Sequence, residues 1–252
     1  MALANYTIKE NIAILSMTGS VTNPINPEMV AALLSHVNKI ENNVSKLYGF
    51  IFTSDSKKFF SIGFDIPKLL KLKESNLKKF YSDFNQLCLK IFTLPVPTLS
   101  VIPGHFVGAG CILASCTDFR FLVEGTAKTG ITAVKFGLPV PYLAKRIVHQ
   151  RLEDRIAYEF LTIGELYDPA WAVGVGLVDR IIPQDQLMKN ALKFLKGFET
   201  NNDLTLTRNK RERSEIIKQD YLSTKENDFE KFVSTWFSDN VQEALHEAKN
   251  KF

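Results

Sequence analysis

PGHFVGAGCILASCTD, residues 103–118, is the stretch that decides the fold. It begins directly after a β-rich run, TLSVI at 98–102, and its glycines open into an apolar helical segment that ends near Thr117. Such a strand–turn–helix junction leaves backbone N–H groups at the start of the helix without partners inside the helix. These groups can bind a negatively charged oxygen, so the turn is a candidate binding site.

A second loop of unusual composition comes earlier in the chain. KFFSIGFDIPK at 58–68 places a glycine in an apolar loop, after a continuous apolar run at 47–53 that is typical of a buried parallel strand. If N–H groups of the two loops converge, they form an oxyanion hole. Taken singly, each loop is better explained as a tight turn whose glycine relieves steric crowding.

Apolar periodicity in the rest of the chain indicates strands that alternate with helices. It predicts a β-hairpin at 6–17, strands at 119–123 and 177–182, and helices at 27–42 (with Asn26 as the N-cap), 77–92, 153–161 and 186–198. This alternation predicts an α/β fold with largely parallel strand pairing.

Together, and in this order, the two loops resemble those of the crotonase superfamily, the enoyl-CoA hydratases and isomerases. FSIGFD at 60–65 is similar to the family's F-S-x-G-x-D loop, and residues 103–110 followed by SCTD at 115–118 are similar to its N-G-x-x-x-G-G-G … C-D segment. NPIN at 23–26 and AVGVGLVD at 172–179 resemble two further family motifs. The resemblance implies a crotonase-type ββα spiral core with a C-terminal helical region.

Within the superfamily, the chain is most similar to the Δ3,Δ2-enoyl-CoA isomerases. GITAVKFG at 130–137 falls where those enzymes carry G-L-x-E-x-x-L-G, and residues 228–245 resemble their C-terminal helices. The resemblance implies an enzyme of the fatty acid β-oxidation type that shifts the double bond of 3-enoyl-CoA to 2-enoyl-CoA through an enolate. It also implies a coenzyme A thioester as substrate and no cofactor or metal.

The resemblance assigns site residues to this chain. It implies that the backbone N–H groups of Ile62 and Ala109 hold the thioester oxygen, and that Ala133 stands at the position of the family's catalytic glutamate. The residues that it implies for substrate binding are Ser61, Gly63, Phe64, Asp65, Ile66, Val107, Gly108 and Ile112. The phosphates of coenzyme A would meet Lys68, Lys71 or the basic run at 208–218.

The carboxylates that the family uses are replaced in this chain. Ala133, Ile112 and Pro141 occupy the positions where different family members carry glutamate or aspartate, and none of the three can move a proton. Three explanations stay open: an engineered Glu→Ala replacement, proton transfer by another group such as His105, Tyr142 or Asp65, or a protein that binds acyl-CoA without turnover. Enoyl-CoA hydration and decarboxylation are further alternatives.

Composition excludes several classes of protein. The 252 residues include 45% hydrophobic and 23% charged residues, which excludes disordered and collagen-like chains. A net charge of +4 is too small to indicate nucleic acid binding but suits a small anionic ligand. Three cysteines in apolar surroundings indicate reduced thiols. Without a secretory, peroxisomal or membrane-spanning pattern, we expect a soluble intracellular protein, cytoplasmic if bacterial.

A change of composition near Thr200 divides the chain. We expect an acyl-CoA-binding core at 1–200 and a helical oligomerisation region at 201–252. Family resemblance implies a homotrimer or a dimer of trimers through the last helices. Phe232 and Trp236 suit burial in such an interface, or equally in the chain's own core, and the charged run at 208–218 is most simply a solvated helix face.

Overall fold

The computed structural model describes residues 2–199 and 204–249, and its strands form two sheets. The strands are β1 (Ala4–Lys9), β2 (Ile12–Met17), β3 (Gly49–Ser54), β4 (Phe59–Ser61), β5 (Thr98–Ile102), β6 (His105–Val107), β7 (Phe119–Val123), β8 (Thr129–Gly130) and β9 (Arg180–Ile182). The larger sheet has the order β1-β2-β3-β5-β7-β9, and the smaller sheet has the order β4-β6-β8. Of these pairs, β1 with β2 is antiparallel and the others are parallel, which confirms the predicted fold class.

Ten helices surround the sheets in the described ranges. They are α1 (Pro27–Asn42), α2 (Ile66–Leu69), α3 (Glu74–Thr93), α4 (Ala109–Ser115), α5 (Tyr142–Arg151), α6 (Asp154–Ile163), α7 (Pro169–Gly174), α8 (Leu187–Lys196), α9 (Leu204–Trp236) and α10 (Asp239–Lys249). The predicted N-cap of α1 is confirmed, since the Asn26 side chain accepts a hydrogen bond from the Met29 N–H at 3.0 Å. No helix of these ranges is long and apolar enough to cross a membrane.

The hairpin and the parallel strands bring the two loops together. Glu10 and Asn11 both have positive φ, 49° and 57°, as a two-residue type I′ turn requires. Strands β3 and β5 pair in parallel, so the segments that follow them leave the sheet at the same edge. Their continuations β4 and β6 pair in parallel as well. The loop after β4 therefore lies beside the glycine turn after β6.

The C-terminal helices pack on the core of their own chain. Phe232 and Trp236 of α9 are buried, and the Phe232 ring stacks on Tyr81 of α3 with ring centroids 3.9 Å apart. Because these aromatic side chains are already covered, they offer no apolar surface for a trimer interface. The trimer stays a prediction, which the mass in solution checks.

The sequence suggests that the charged run at 208–218 is a solvated helix face, and the structure shows that this prediction is wrong for part of the run. Lys210 and Ser214 are buried, and the Lys210 Nζ donates to Asp118 Oδ2 at 2.6 Å and to the Val96 carbonyl oxygen at 2.9 Å. Arg213 donates to the other oxygen of Asp118 at 2.9 Å. Two cations of the run therefore anchor α9 to the start of β7.

Replacing Lys210 by methionine tests this anchor. The change leaves the buried Asp118 carboxylate short of one cation, so we expect the free energy of unfolding at pH 7 to fall by about 3–5 kcal/mol. The matched control is Lys79→Met, which breaks an exposed Lys79–Asp83 pair on α3 and is expected to change stability by less than about 0.5 kcal/mol. Urea unfolding of both variants measures the difference, and equal midpoints would contradict the anchor.

The same anchor predicts a pH dependence. Burial by itself raises the pKa of Asp118, but the charge and hydrogen bond of Lys210 and the charge of Arg151 bring that pKa below its ordinary value. A carboxyl whose pKa is lower in the folded state contributes stability that is fully present above about pH 4 and is lost as the pH falls through the folded pKa. Circular dichroism should show a shallower acid dependence for Lys210→Met than for the native chain.

Candidate active site

An apolar cavity lies where the two loops meet the C-terminal helices. Its volume is about 70 Å³. Its lining residues are Ile62, Gly63, Phe64, Ile66, Gly108, Ala109, Ile112, Ile131, Thr132, Ala133, Phe136, Leu138, Pro139, Pro141 and Phe232. All of them except Thr132 have apolar side chains or none. The cavity therefore suits a hydrocarbon chain better than a charged group.

The structure brings most of the predicted site residues to this cavity. Those that line it are Ile62, Gly63, Phe64, Ile66, Gly108, Ala109, Ile112 and Ala133. Ser61, Asp65 and Val107 are not among the lining residues. Ser61 is fully buried, and its hydroxyl donates to the Asn23 carbonyl oxygen at 2.8 Å, so it holds the loop rather than a ligand.

Sequence reasoning missed the far wall of the cavity. A short 3-10 helix, Thr132–Phe136, and the proline-rich segment after it supply one side, and Phe232 of α9 supplies another. Residues 138–141, Leu-Pro-Val-Pro, were available as a signal, because two prolines so close together fix an extended segment. Phe232 gave no such signal, since only tertiary packing places a residue so far along the chain against the loops.

The backbone N–H groups of the first loop can be assigned one by one. Ile62 donates to the Thr22 carbonyl oxygen at 2.9 Å, and Asp65 donates to the Ile25 carbonyl oxygen at 3.0 Å. Gly63 donates to the Ser61 hydroxyl at 3.1 Å. The prediction that Ile62 supplies the free N–H is therefore wrong. Within the described chain, the Phe64 N–H between them has no acceptor.

The segment at 22–26 also donates to acceptors of this loop. Ile25 N–H donates to the Gly63 carbonyl oxygen at 2.7 Å, and the Asn26 side chain donates to Asp65 Oδ2 at 3.0 Å. Asp65 also caps α2 by accepting from the Lys68 N–H. In the parallel β-bridge between Ile25 and Phe64, Ile25 makes both hydrogen bonds, to Gly63 and from Asp65, and the Phe64 N–H is directed away from the segment. This pairing is the reason that Phe64, and not Ile62, is left free.

The second free donor is at the start of α4. Ala109 is the first residue of this helix, after Gly108, whose φ of +54° and ψ of −122° turn the chain from β6 into the helix. An N–H at this position has no partner within a helix. In the described ranges no other group accepts from Ala109, whereas the neighbouring Gly108 N–H donates to the Gly130 carbonyl oxygen at 2.8 Å.

Gly63 lets the two loops touch. Its φ is +101°, and a Cβ atom there would lie 3.0 Å from the Val107 carbonyl oxygen and 3.2 Å from the Ala109 nitrogen. The Gly63 Cα also faces Gly108 closely, because a Cβ added to Gly108 would lie 3.7 Å from it. A side chain at position 63 would therefore separate the two free N–H groups.

The variant Gly63→Ala is expected to have a slower reaction at the site in addition to a lower stability. Gly125→Ala is the matched control, since Gly125 has a φ of +129° and no atom within 4 Å of an added Cβ. Both variants carry backbone strain of about 1–3 kcal/mol, but only Gly63→Ala misplaces the donors, which we expect to slow thioester chemistry by ~10²-fold. Thermal unfolding and C2 hydrogen exchange of a bound thioester measure the two effects separately.

No titratable side chain of the described ranges lines the cavity, and the candidates for a replacement base are used elsewhere. The Tyr142 hydroxyl donates to Asp220 at 2.9 Å. His105 accepts from the Lys128 N–H at 3.0 Å, and its ring packs on Phe59. The Asp65 carboxylate accepts from the Asn26 side chain and from the Lys68 N–H. Among the described residues, no cluster of His, Cys, Asp and Glu is placed to bind a metal ion. The site can polarise a carbonyl group, but its own side chains cannot take up a proton.

Comparison with known proteins identifies the family of the chain. Residues 7–252 match the family model of enoyl-CoA hydratase/isomerase. The chain is 25% identical to mouse mitochondrial enoyl-CoA delta isomerase 1 over 236 residues, which covers 93% of this chain and 81% of that protein. The human protein of the same name is 24% identical over 235 residues, covering 93% of this chain and 78% of that protein.

Solved structures share the fold. The crystal structure of human mitochondrial delta3-delta2-enoyl-CoA isomerase superposes with a TM-score of 0.94, at 22% identity, and covers 99% of this chain and 97% of that chain. Enoyl-CoA hydratase from Bacillus halodurans superposes with a TM-score of 0.87, at 20% identity, and covers 97% of this chain and 99% of that chain. Since the family model spans nearly the whole sequence, the chain belongs to the enoyl-CoA hydratase/isomerase family of enzymes, the crotonase superfamily.

Proposed function

We propose that this chain binds an enoyl-CoA thioester in the apolar cavity and shifts its double bond from C3 to C2 through an enolate. The observation that carries the proposal is the pair of unpaired N–H groups, Phe64 and Ala109, on one cavity. Both donate to the thioester oxygen and form the oxyanion hole, where negative charge develops when the C2 proton leaves. The relatives named as isomerases support this choice of reaction.

The walls of the cavity suit the two ends of such a substrate. Ile112, Leu138 and Phe232 form an apolar surface for the acyl chain. At the other end, Ile66 lines the cavity at the start of α2, and Lys68 follows it on the surface in an exposed ion pair with Glu28 at 3.3 Å. We therefore propose that Lys68, with Lys71 after it, meets the phosphates of coenzyme A. An exposed pair of this kind opens at little cost.

Proton transfer in this proposal goes through water. Isomerisation removes a proton from C2 and delivers one to C4, and the residue at the expected base position is Ala133. The alanine leaves room for a water molecule, and the Thr132 hydroxyl, the polar side chain of the lining, orients it. Water is a weaker base than a carboxylate held in place, so turnover is slow.

Isotope labelling tests this route. In D₂O the native chain is expected to place solvent deuterium at C2 of the bound 3-enoyl-CoA and at C4 of the 2-enoyl-CoA product, because the proton exchanges with bulk water. Mass spectrometry and NMR of the product measure both positions. Product whose added C4 hydrogen comes from C2 of the substrate and not from the solvent would show a protein base and contradict the water route.

A second candidate function is acyl-CoA binding without turnover. The specific observation in its favour is that the part of the chain described by the structure supplies no titratable side chain to the cavity lining. It predicts that calorimetry detects binding of acyl-CoA while neither C2 exchange nor product formation occurs in D₂O. The same labelling experiment therefore decides between the two functions.

A further inference from the structure

A second, charged cavity of about 370 Å³ lies at the junction of α5 and α9 with the starts of β5 and β7. Its lining residues are Pro97, Asp118, Phe119, Arg151, Asp179, Asn209, Lys210 and Arg213. It shares no lining residue with the apolar cavity, and the proposed isomerase chemistry does not use it.

Positive charge exceeds negative charge in this cluster. Asp179 accepts from the side chain of Arg120 at 3.0 Å. Both oxygens of Asp118 are taken up by Lys210, Arg213 and Thr98. The two carboxylates thus pair with three of the four cations of the cluster, Arg120, Lys210 and Arg213.

Arg151 is the fourth cation and pairs with no carboxylate side chain in the described ranges. Its Nη1 donates to the Asp118 carbonyl oxygen at 3.0 Å, and its Nη2 donates to the Thr117 carbonyl oxygen. The charge of Asp118 acts on this guanidinium, but a mostly buried guanidinium with no carboxylate in hydrogen-bond contact is still incompletely paired. Burial also lowers the pKa of Arg151, and the neighbouring charge of Arg120 adds to this.

Unsatisfied polar atoms collect at the same place. Four buried side-chain atoms of the described chain lack a hydrogen-bond partner, and three of them are Arg151 Nε, Arg213 Nε and Gln150 Oε1. Gln150 and Arg213 are neighbours here, since the Gln150 side chain donates to the Arg213 carbonyl oxygen at 3.4 Å. Buried polar groups are nearly always paired. The Nε–H donors of Arg151 and Arg213 can pair with an anion, whereas the Gln150 Oε1 atom is an acceptor and requires a donor.

We propose that this junction binds a tetrahedral oxyanion of the phosphate class, which pairs with Arg151 and Arg213. Guanidinium groups donate in a fork that matches phosphate oxygens, and the cavity is far larger than a halide ion needs. Such an anion would neutralise Arg151 and hold α9 against α5. The phosphate would be either free in solution or part of a nucleotide.

Thermal unfolding with added ligand tests the proposal. Inorganic phosphate and adenosine 3′,5′-bisphosphate are the two probes, each titrated at constant ionic strength against sodium chloride. At a hundredfold excess over the dissociation constant, the effective probe should raise the Tm of the native chain by about 5–10 °C. Arg151→Met should remove this rise, and Arg151→Lys, which keeps the charge but loses the fork, should reduce it.

Arg155→Met is the matched control, because Arg155 is an exposed arginine on α6 and its loss changes the net charge equally. It should keep the full rise. A rise with inorganic phosphate identifies a free anion as the ligand, and a rise with the bisphosphate alone identifies a nucleotide. No rise with either probe, or an equal rise in the native chain, Arg151→Met and Arg155→Met, would overturn the proposal.

Discussion

Ala133→Glu is expected to raise the rate of 3-enoyl-CoA isomerisation by ~10²–10⁴-fold, the usual contribution of a positioned general base. Ala133 lines the apolar cavity together with both free donors, so a carboxylate there would lie beside a thioester bound as we propose. The variant restores the group that proton transfer needs and leaves the oxyanion contacts unchanged. Initial rates with 3-enoyl-CoA at saturating concentration measure the gain.

The pH profile identifies the new base. Apolar surroundings raise the pKa of a buried glutamate above its ordinary value of about 4.3. Because the ionised form is the base, the rate of the variant should rise with pH through that raised pKa and then level off, a limb that the native chain lacks. Ala133→Gln is the matched control, with the same size and no base, and it should show no gain.

A variant that binds the thioester but stays inert would count against the isomerase proposal. Calorimetry with a saturated acyl-CoA establishes binding independently of turnover. If Ala133→Glu and the native chain bind equally and neither exchanges the C2 hydrogen, the chain is an acyl-CoA binder, and its apolar site serves to hold the thioester.

Local sequence signals predicted those elements of the fold that have a clear pattern within their own residues. The Asn26 cap, the hairpin and the buried runs of β3 and β5 all formed as expected. The small sheet was not predicted, because strands of two or three residues such as Thr129–Gly130 have no measurable periodicity. The C-terminal region was predicted to be helical, but its start as one long helix, α9, was not, because exposed and buried charges mask the apolar stripe.

The candidate site shows a different limit of sequence reasoning. Both loops were identified, yet the donor was placed at Ile62 instead of Phe64, because the choice depends on which N–H groups the segment at 22–26 engages. That segment meets the loop through a bridge between Ile25 and Phe64, a contact that no local pattern encodes. The prediction of a solvated helix face was wrong at Lys210 for the same reason, since the burial of this lysine depends on Asp118, a partner far away in the sequence.

Ala109→Pro is expected to lower the rate of C2 exchange by ~10²–10³-fold, the typical effect of losing one oxyanion donor. Proline has no N–H, and the first position of a helix is where proline fits best, so α4 should still form. The preceding Gly108 tolerates the restriction that proline places on its neighbour, because it has no Cβ atom. The substitution thus replaces the N–H donor by the Cδ atom of the proline ring, with little cost to the helix.

Comparison with Ala109→Ser separates the missing donor from a changed side chain. Serine keeps the backbone N–H and is expected to retain exchange within about threefold, because a donor in place is what the oxyanion requires. Circular dichroism and urea unfolding should show the same helix content and similar midpoints for both variants. Full activity in Ala109→Pro would mean that the thioester oxygen lies elsewhere, since a site without this N–H has only Phe64 left to hold the developing charge.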